Sequence, residues 1–112
     1  MTRQHLIDNG YREYVVPSGT FYQKAIEHEN GGKRYFIDVN YLCYTQPSGT
    51  KVEFWTPTMQ VTLPNNRSVN IEAVQWYNTF DGKEYEQDLT NISEVEEFFE
   101  KVFVTLGAVD YR

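Results

Sequence analysis

The chain is poor in the residues from which catalytic and metal sites are usually recognised. Its 112 residues include one cysteine, Cys43, and two histidines, His5 and His28. A lone cysteine closes no internal disulfide, which points to a reducing, intracellular setting. The Asn-x-Ser sequons at Asn66 and Asn91 are then accidental. No Cys-x-x-Cys, His-x-x-x-His or Glu-x-x-His spacing occurs, so a metal site would have to be gathered from distant residues, and none is expected. Nucleophile elbow, dinucleotide loop and phosphate loop are all missing, so neither an enzyme nor a cofactor is expected. Cys43 ends an apolar run with no base or cation beside it and reads as a small buried hydrophobe. Long apolar stretches are absent too, and mean hydropathy is −0.60, which excludes a transmembrane helix. The opening MTRQHLIDNG has no apolar core of a secretory signal. The expected location is the cytoplasm.

Basic residues are scarce in one half only. Residues 1–56 hold six basic and six acidic side chains, and residues 57–112 hold four and ten, so the whole net charge of −6 sits in the second half. That opposes nucleic-acid binding, where Lys and Arg must neutralise phosphates. It permits a basic protein as partner.

What the chain does have is aromatic and apolar bulk, 16% and 40% of residues, enough for one packed domain spanning 1–112. Residues 2–9 suit a short helix, with Thr2 as N-cap and Gly10 as stop. Two runs, 21–27 and 33–44, flank HENGG, an Asn-Gly hairpin signal. Tyr35, Ile37, Val39, Tyr41 and Cys43 alternate onto one face, which marks it as core. Runs 51–63 and 68–77 flank PNNR. Pro57 interrupts the first of these, which suggests an edge or a bulge. In the second the core side switches between Val69, Ile71, Ala73 and Val74, Trp76. YVVPSGT at 14–20 returns as YTQPSGT at 44–50, with five identities in seven. Each copy reads as turn chemistry introducing a hairpin rather than as a duplicated unit. TFDGKEYEQDLTN reads as an exposed polar loop. Val95, Phe98, Phe99, Val102, Phe103 and Leu106 then form one stripe of a helix over 93–106, with Ser93 and Glu96 at capping-box spacing. The expected fold is α+β: an antiparallel sheet of hairpins, the C-terminal amphipathic helix packed on one face, and a short N-terminal helix.

Two surfaces are candidates for function. The first is acidic. Glu84, Glu86, Asp88, Glu96, Glu97 and Glu100 fall in a segment without Lys or Arg. On a helical wheel the last three lie opposite the Phe stripe. They form either the wet face of an amphipathic helix or an anionic surface for a basic groove on a host or phage protein. A calcium loop over 81–88 is excluded by the spacing of its acids and the placement of Gly82. The second surface is aromatic. Phe36, Tyr44, Trp55 and Trp76 could form an exposed sheet face for self-association into a homo-oligomer. KRYFIDVNY lacks the glycines of an RNA-stacking strand and reads as a core strand. A small-ligand or nucleotide module relying on aromatic stacking has no motif of its own.

HLIDNGYREY, GGKRYFIDV and SEVEEFFEKVF, in this order, resemble blocks of small uncharacterised accessory proteins of phages and mobile elements. The similarity covers about a quarter of the chain, and both PSGT turns depart from it. It implies a compact accessory protein made in a bacterial cell, and it transfers no functional residue. The function expected from these observations is non-catalytic protein binding, with inhibition of a host defence or nucleic-acid-processing protein as its specific form.

Overall fold

The computed structural model describes residues 1–72, 76–80, 84–86 and 91–111, with 76–80 and 84–86 described by backbone only. In chain order the elements are α1 (Arg3–Asp8), β1 (Arg12–Val16), β2 (Gly19–Glu27), β3 (Lys33–Thr45), β4 (Lys51–Thr62), β5 (Ser68–Glu72), β6 (Trp76–Phe80), β7 (Glu84–Glu86) and α2 (Ile92–Leu106). The strands form one antiparallel sheet in the order β1-β2-β3-β4-β6-β7, with β5 also paired to β4. Among the described residues no helix is long and apolar enough to cross a membrane.

Three hairpins share one loop geometry. His28 N donates to Gly32 O, Gln46 N to Thr50 O and Leu63 N to Arg67 O, at 2.7–2.8 Å. Inside each loop the third residue on donates back: Gly31 N to His28 O, Gly49 N to Gln46 O and Asn66 N to Leu63 O. Gly31, Gly49 and Asn66 have φ of +81°, +87° and +66°. This is a tight turn closed by one left-handed residue, a position that Gly and Asn tolerate best. Pro47 and Pro64 preset φ at the turn's second position in two of the three. The two PSGT copies therefore do not introduce hairpins, as the sequence suggested; they close them, and by different means. Pro17-Ser18 is a two-residue loop under the pair Val16–Gly19, whereas Gln46–Thr50 is the longer loop. The recurring unit is the loop geometry, and HENGG and PNNR share it without sharing the sequence.

Pro57 lies neither on an edge strand nor at a bulge. It sits inside β4, opposite Val39 of β3. On β4's other side β5 pairs residues 58–62 and β6 pairs residues 51–55. The missing N–H thus falls where that side changes partner, and no ladder bond is lost there. The run expected as one strand over 68–77 is two strands for the same reason, and the proposed switch at 73–75 lies outside the described residues. Of the segment expected as a polar loop, residues 79–80 and 84–86 pair instead in β6 and β7, with Thr79 opposite Tyr85, and 81–83 and 87–90 lie outside the described residues.

One buried cluster joins the elements. It contains Leu6 of α1, Tyr22 of β2, Tyr35, Ile37 and Val39 of β3, Trp55, Met59 and Val61 of β4, and Ile92, Val95, Phe99 and Phe103 of α2. Each large side chain taken out of water contributes roughly 1.5–3 kcal/mol before entropy is charged. Tyr35 and Phe103 rings stand 5.1 Å apart. α1 starts as expected, with the Thr2 hydroxyl accepting from His5 N at 3.1 Å. α2 is capped two residues earlier than expected: Asn91 Oδ1, not Ser93, serves as the cap and accepts from Ser93 N at 3.0 Å. It ends at Gly107, φ +64°, where Ala108 N reaches back to Phe103 O and Gly107 N to Val104 O. Its buried row is Ile92, Val95, Phe99 and Phe103, while Phe98 and Leu106 are 46% and 39% exposed. The helix is rolled relative to the six-residue stripe of the sequence, because Ile92 joins the core and Phe98 leaves it.

Candidate functional site

That roll decides where the helix acids go. Glu96 and Glu100 do not stand opposite the apolar row; they flank it and meet the sheet. Glu96 Oε1 accepts from Tyr11 Oη and from Lys24 Nζ, both at 2.9 Å. Glu100 accepts from Tyr35 Oη at 2.9 Å and pairs with Arg34 Nη1 at 3.0 Å. Arg34 also lies 4.6 Å over the Phe103 ring and 3.5 Å from Asp110. Of the three candidates Glu97 alone makes no bond to the sheet among the described residues, with Lys101 at 3.5 Å along the helix. Two of the three candidate glutamates on the helix, Glu96 and Glu100, therefore hold α2 to β2 and β3. Lys24 could be recognised in sequence as the one cation in the alternating row Tyr22, Lys24, Ile26. Nothing in the sequence paired Arg34 or the two tyrosines with helix carboxylates more than sixty residues away.

Beside these contacts runs a cleft of about 360 Å3. Its walls are Ile26 and Glu27 of β2, Arg34 and Tyr35 of β3, and Ser93, Glu96, Glu97 and Glu100 of α2. Four carboxylates face one guanidinium there. Among the described residues no group of three or more His, Cys, Asp or Glu could hold a metal ion.

The aromatic candidates separate onto two faces. Paired residues of neighbouring antiparallel strands share a face. Leu42–Phe54 and Tyr44–Val52 are pairs on the face opposite the core. There Leu42 is 60% and Tyr44 44% exposed, and Tyr44 stacks on Phe54 with centroids 5.6 Å apart. Phe36 belongs to the same row of β3, further along, edge-on to Tyr111 at 5.2 Å. Trp55 is a correction. It pairs with Tyr41 on the core face, is 4% exposed, and touches the rings of Tyr41 and Tyr22. Cys43 is a second correction: it is exposed, because the core under β3 ends near Tyr41 while the strand runs on. Leu42 was not singled out in the sequence, where one leucine between two aromatics carries no signal. Asp88 lies outside the described residues, and of Trp76, Glu84 and Glu86 only the backbone in β6 and β7 is described.

Four tyrosines are held in their neutral form. Burial first, then the Glu96 carboxylate, pushes Tyr11 above the ordinary tyrosine range. Burial and Glu100 do the same to Tyr35, and burial and Glu53 to Tyr41. Tyr22 is pushed up to about 12 by burial and its bond to Glu13. A raised folded value means stability that is complete below the unfolded value, about 10, and declines as pH rises beyond it. Alkaline titration is therefore expected to show these four ionising together with the loss of far-ultraviolet dichroism. Full phenolate formation near pH 10 with the dichroism unchanged would contradict this.

Comparison with protein-family models, curated proteins and solved structures gave no match.

Proposed function

We propose that the protein is a small non-catalytic protein-binding module, with α2 laid across the core face of the sheet and the Leu42–Tyr44 end of the opposite face presented to a partner. The observation that carries this reading is the exposed pair Leu42 and Tyr44 on the β3–β4 hairpin, with Tyr44 stacked on the partly buried Phe54. A half-exposed tyrosine ring stacked on a second ring, beside an exposed leucine, fits the aromatic anchors of protein interfaces. The resemblance to phage accessory proteins agrees with a host protein in the bacterial cytoplasm as target, and inhibition of a defence or nucleic-acid-processing protein is the form of binding it supports. The test is a pull-down from bacterial lysate with the wild type and with Leu42→Ser/Tyr44→Ser. A discrete partner that survives high salt and is lost from the double variant is the expected result. If no partner appears, the module reading fails.

A second reading is favoured by the cleft beside α2. Four glutamates around one arginine suit a lysine or arginine side chain of a basic partner. This binding is salt-sensitive and indifferent to Leu42 and Tyr44, so the same pull-down separates the two surfaces.

A further inference from the structure

Among the described residues β5 is paired along one edge only, and the pattern of its ladder can be derived. Leu63 N donates to Arg67 O across the loop, so Leu63–Arg67 is a hydrogen-bonded pair. Such pairs alternate along an antiparallel ladder. Val61–Val69 and Met59–Ile71 are therefore bonded pairs, and Thr62–Ser68, Gln60–Asn70 and Thr58–Glu72 are not. The carbonyl of Thr62 bears this out, for it accepts from Val109 N at 2.9 Å, away from β5. It follows that the backbone N–H and C=O of Ser68, Asn70 and Glu72 point out from the open edge. No bond to them occurs among the described residues.

Open edges are ordinarily blunted by Lys, Pro, Gly or a bulge. Ser-Val-Asn-Ile-Glu contains none of these, and its one charge, Glu72, stands at the strand's end. By comparison β1 runs into Pro17 and carries two adjacent charges, and β7 has three residues. The β5 sequence is also complementary to itself. Turned about Asn70 it sets Asn70 against Asn70, Ser68 against Glu72 and Val69 against Ile71. Every outward backbone group then meets an outward one, giving two bonds at the centre and two at each end. Val69 and Ile71, both half-buried against the core, meet their counterparts as β-branched pairs on one face. No like charges are apposed.

We propose that β5 is a homodimerisation strand, on which two copies of this chain pair antiparallel about Asn70 under a two-fold axis. The surface is separate from that of Leu42 and Tyr44. A five-residue strand pair buries less than the roughly 1,200 Å2 of a standard stable interface, so the dimer is concentration-dependent. Each copy carries −6, so raising salt strengthens it, the opposite of binding to a basic partner.

Sedimentation velocity on the full chain, over a wide concentration range, is the test. The expected result is a reversible shift from the 13.2 kDa monomer to twice that mass. Asn70→Pro removes only an outward N–H, so the monomer's dichroism stays the same while the dimer weakens about tenfold or more. Ser68→Glu places a carboxylate against Glu72 at both ends and weakens it by about tenfold. Ser68→Lys tightens it by about tenfold at low salt. A chain that is monomeric throughout overturns the proposal. So does a dimer that ignores all three variants, including one lost only with Leu42→Ser/Tyr44→Ser. A monomer whose β5 edge binds only foreign peptides overturns it as well.

Discussion

Phe99→Asp is expected to leave no folded protein at 25 °C. Phe99 is wholly buried in the cluster that also holds Ile37, Val39 and Met59. Removing a buried phenylalanine side chain costs about 3–5 kcal/mol, and a carboxylate with no partner in that site adds more. The stability of a domain this size is about 5–15 kcal/mol. The companion variant is Phe98→Asp. In sequence the two phenylalanines are adjacent members of one stripe, but Phe98 is 46% exposed, so its replacement should cost about 1 kcal/mol. Circular dichroism and a thermal melt of both proteins decide the matter. Equal damage from the two would show that the helix is not rolled as described, and a Phe99→Asp protein melting within a degree or two of wild type would remove α2 from the core.

What could be read from the sequence was whatever depends on neighbours in the chain. The alternation of Tyr35, Ile37 and Val39, the Thr2 cap and the Gly107 stop all obey local rules. Each stands as expected, apart from the two-residue shift of the α2 cap from Ser93 to Asn91. The misreadings came from contacts between distant segments. Trp55 was assigned an exposed face because its row is ambiguous until Pro57 is seen to continue the strand. The break between β5 and β6 depends on both sharing β4, which no local pattern encodes. The acids looked unpaired because Lys24, Arg34, Tyr11 and Tyr35 come from the first third of the chain. A segment without local cations is not a segment without cations.

That distinction makes Glu96→Lys and Glu97→Lys, one residue apart, behave differently. Glu96 is the shared acceptor for the buried Tyr11 hydroxyl and for Lys24, and the Lys24–Glu96 pair is only 29% and 21% exposed. Losing the carboxylate leaves two donors unanswered, at about 2–3 kcal/mol, and a lysine in its place adds repulsion with Lys24. The expected fall in Tm is about 10 °C or more, and Glu96→Gln, which keeps an acceptor oxygen, should recover part of it. Glu97 meets only Lys101, with both side chains more than two-thirds exposed, and such a pair is worth little. Its reversal should move Tm by no more than about 2 °C. A partner lost with Glu97→Lys is therefore lost from the cleft itself, whereas a partner lost with Glu96→Lys alone reports only that the helix has loosened. If Glu96→Lys melted with the wild type, the tyrosine and lysine contacts would contribute nothing to stability, and all three helix acids would again be open to a partner.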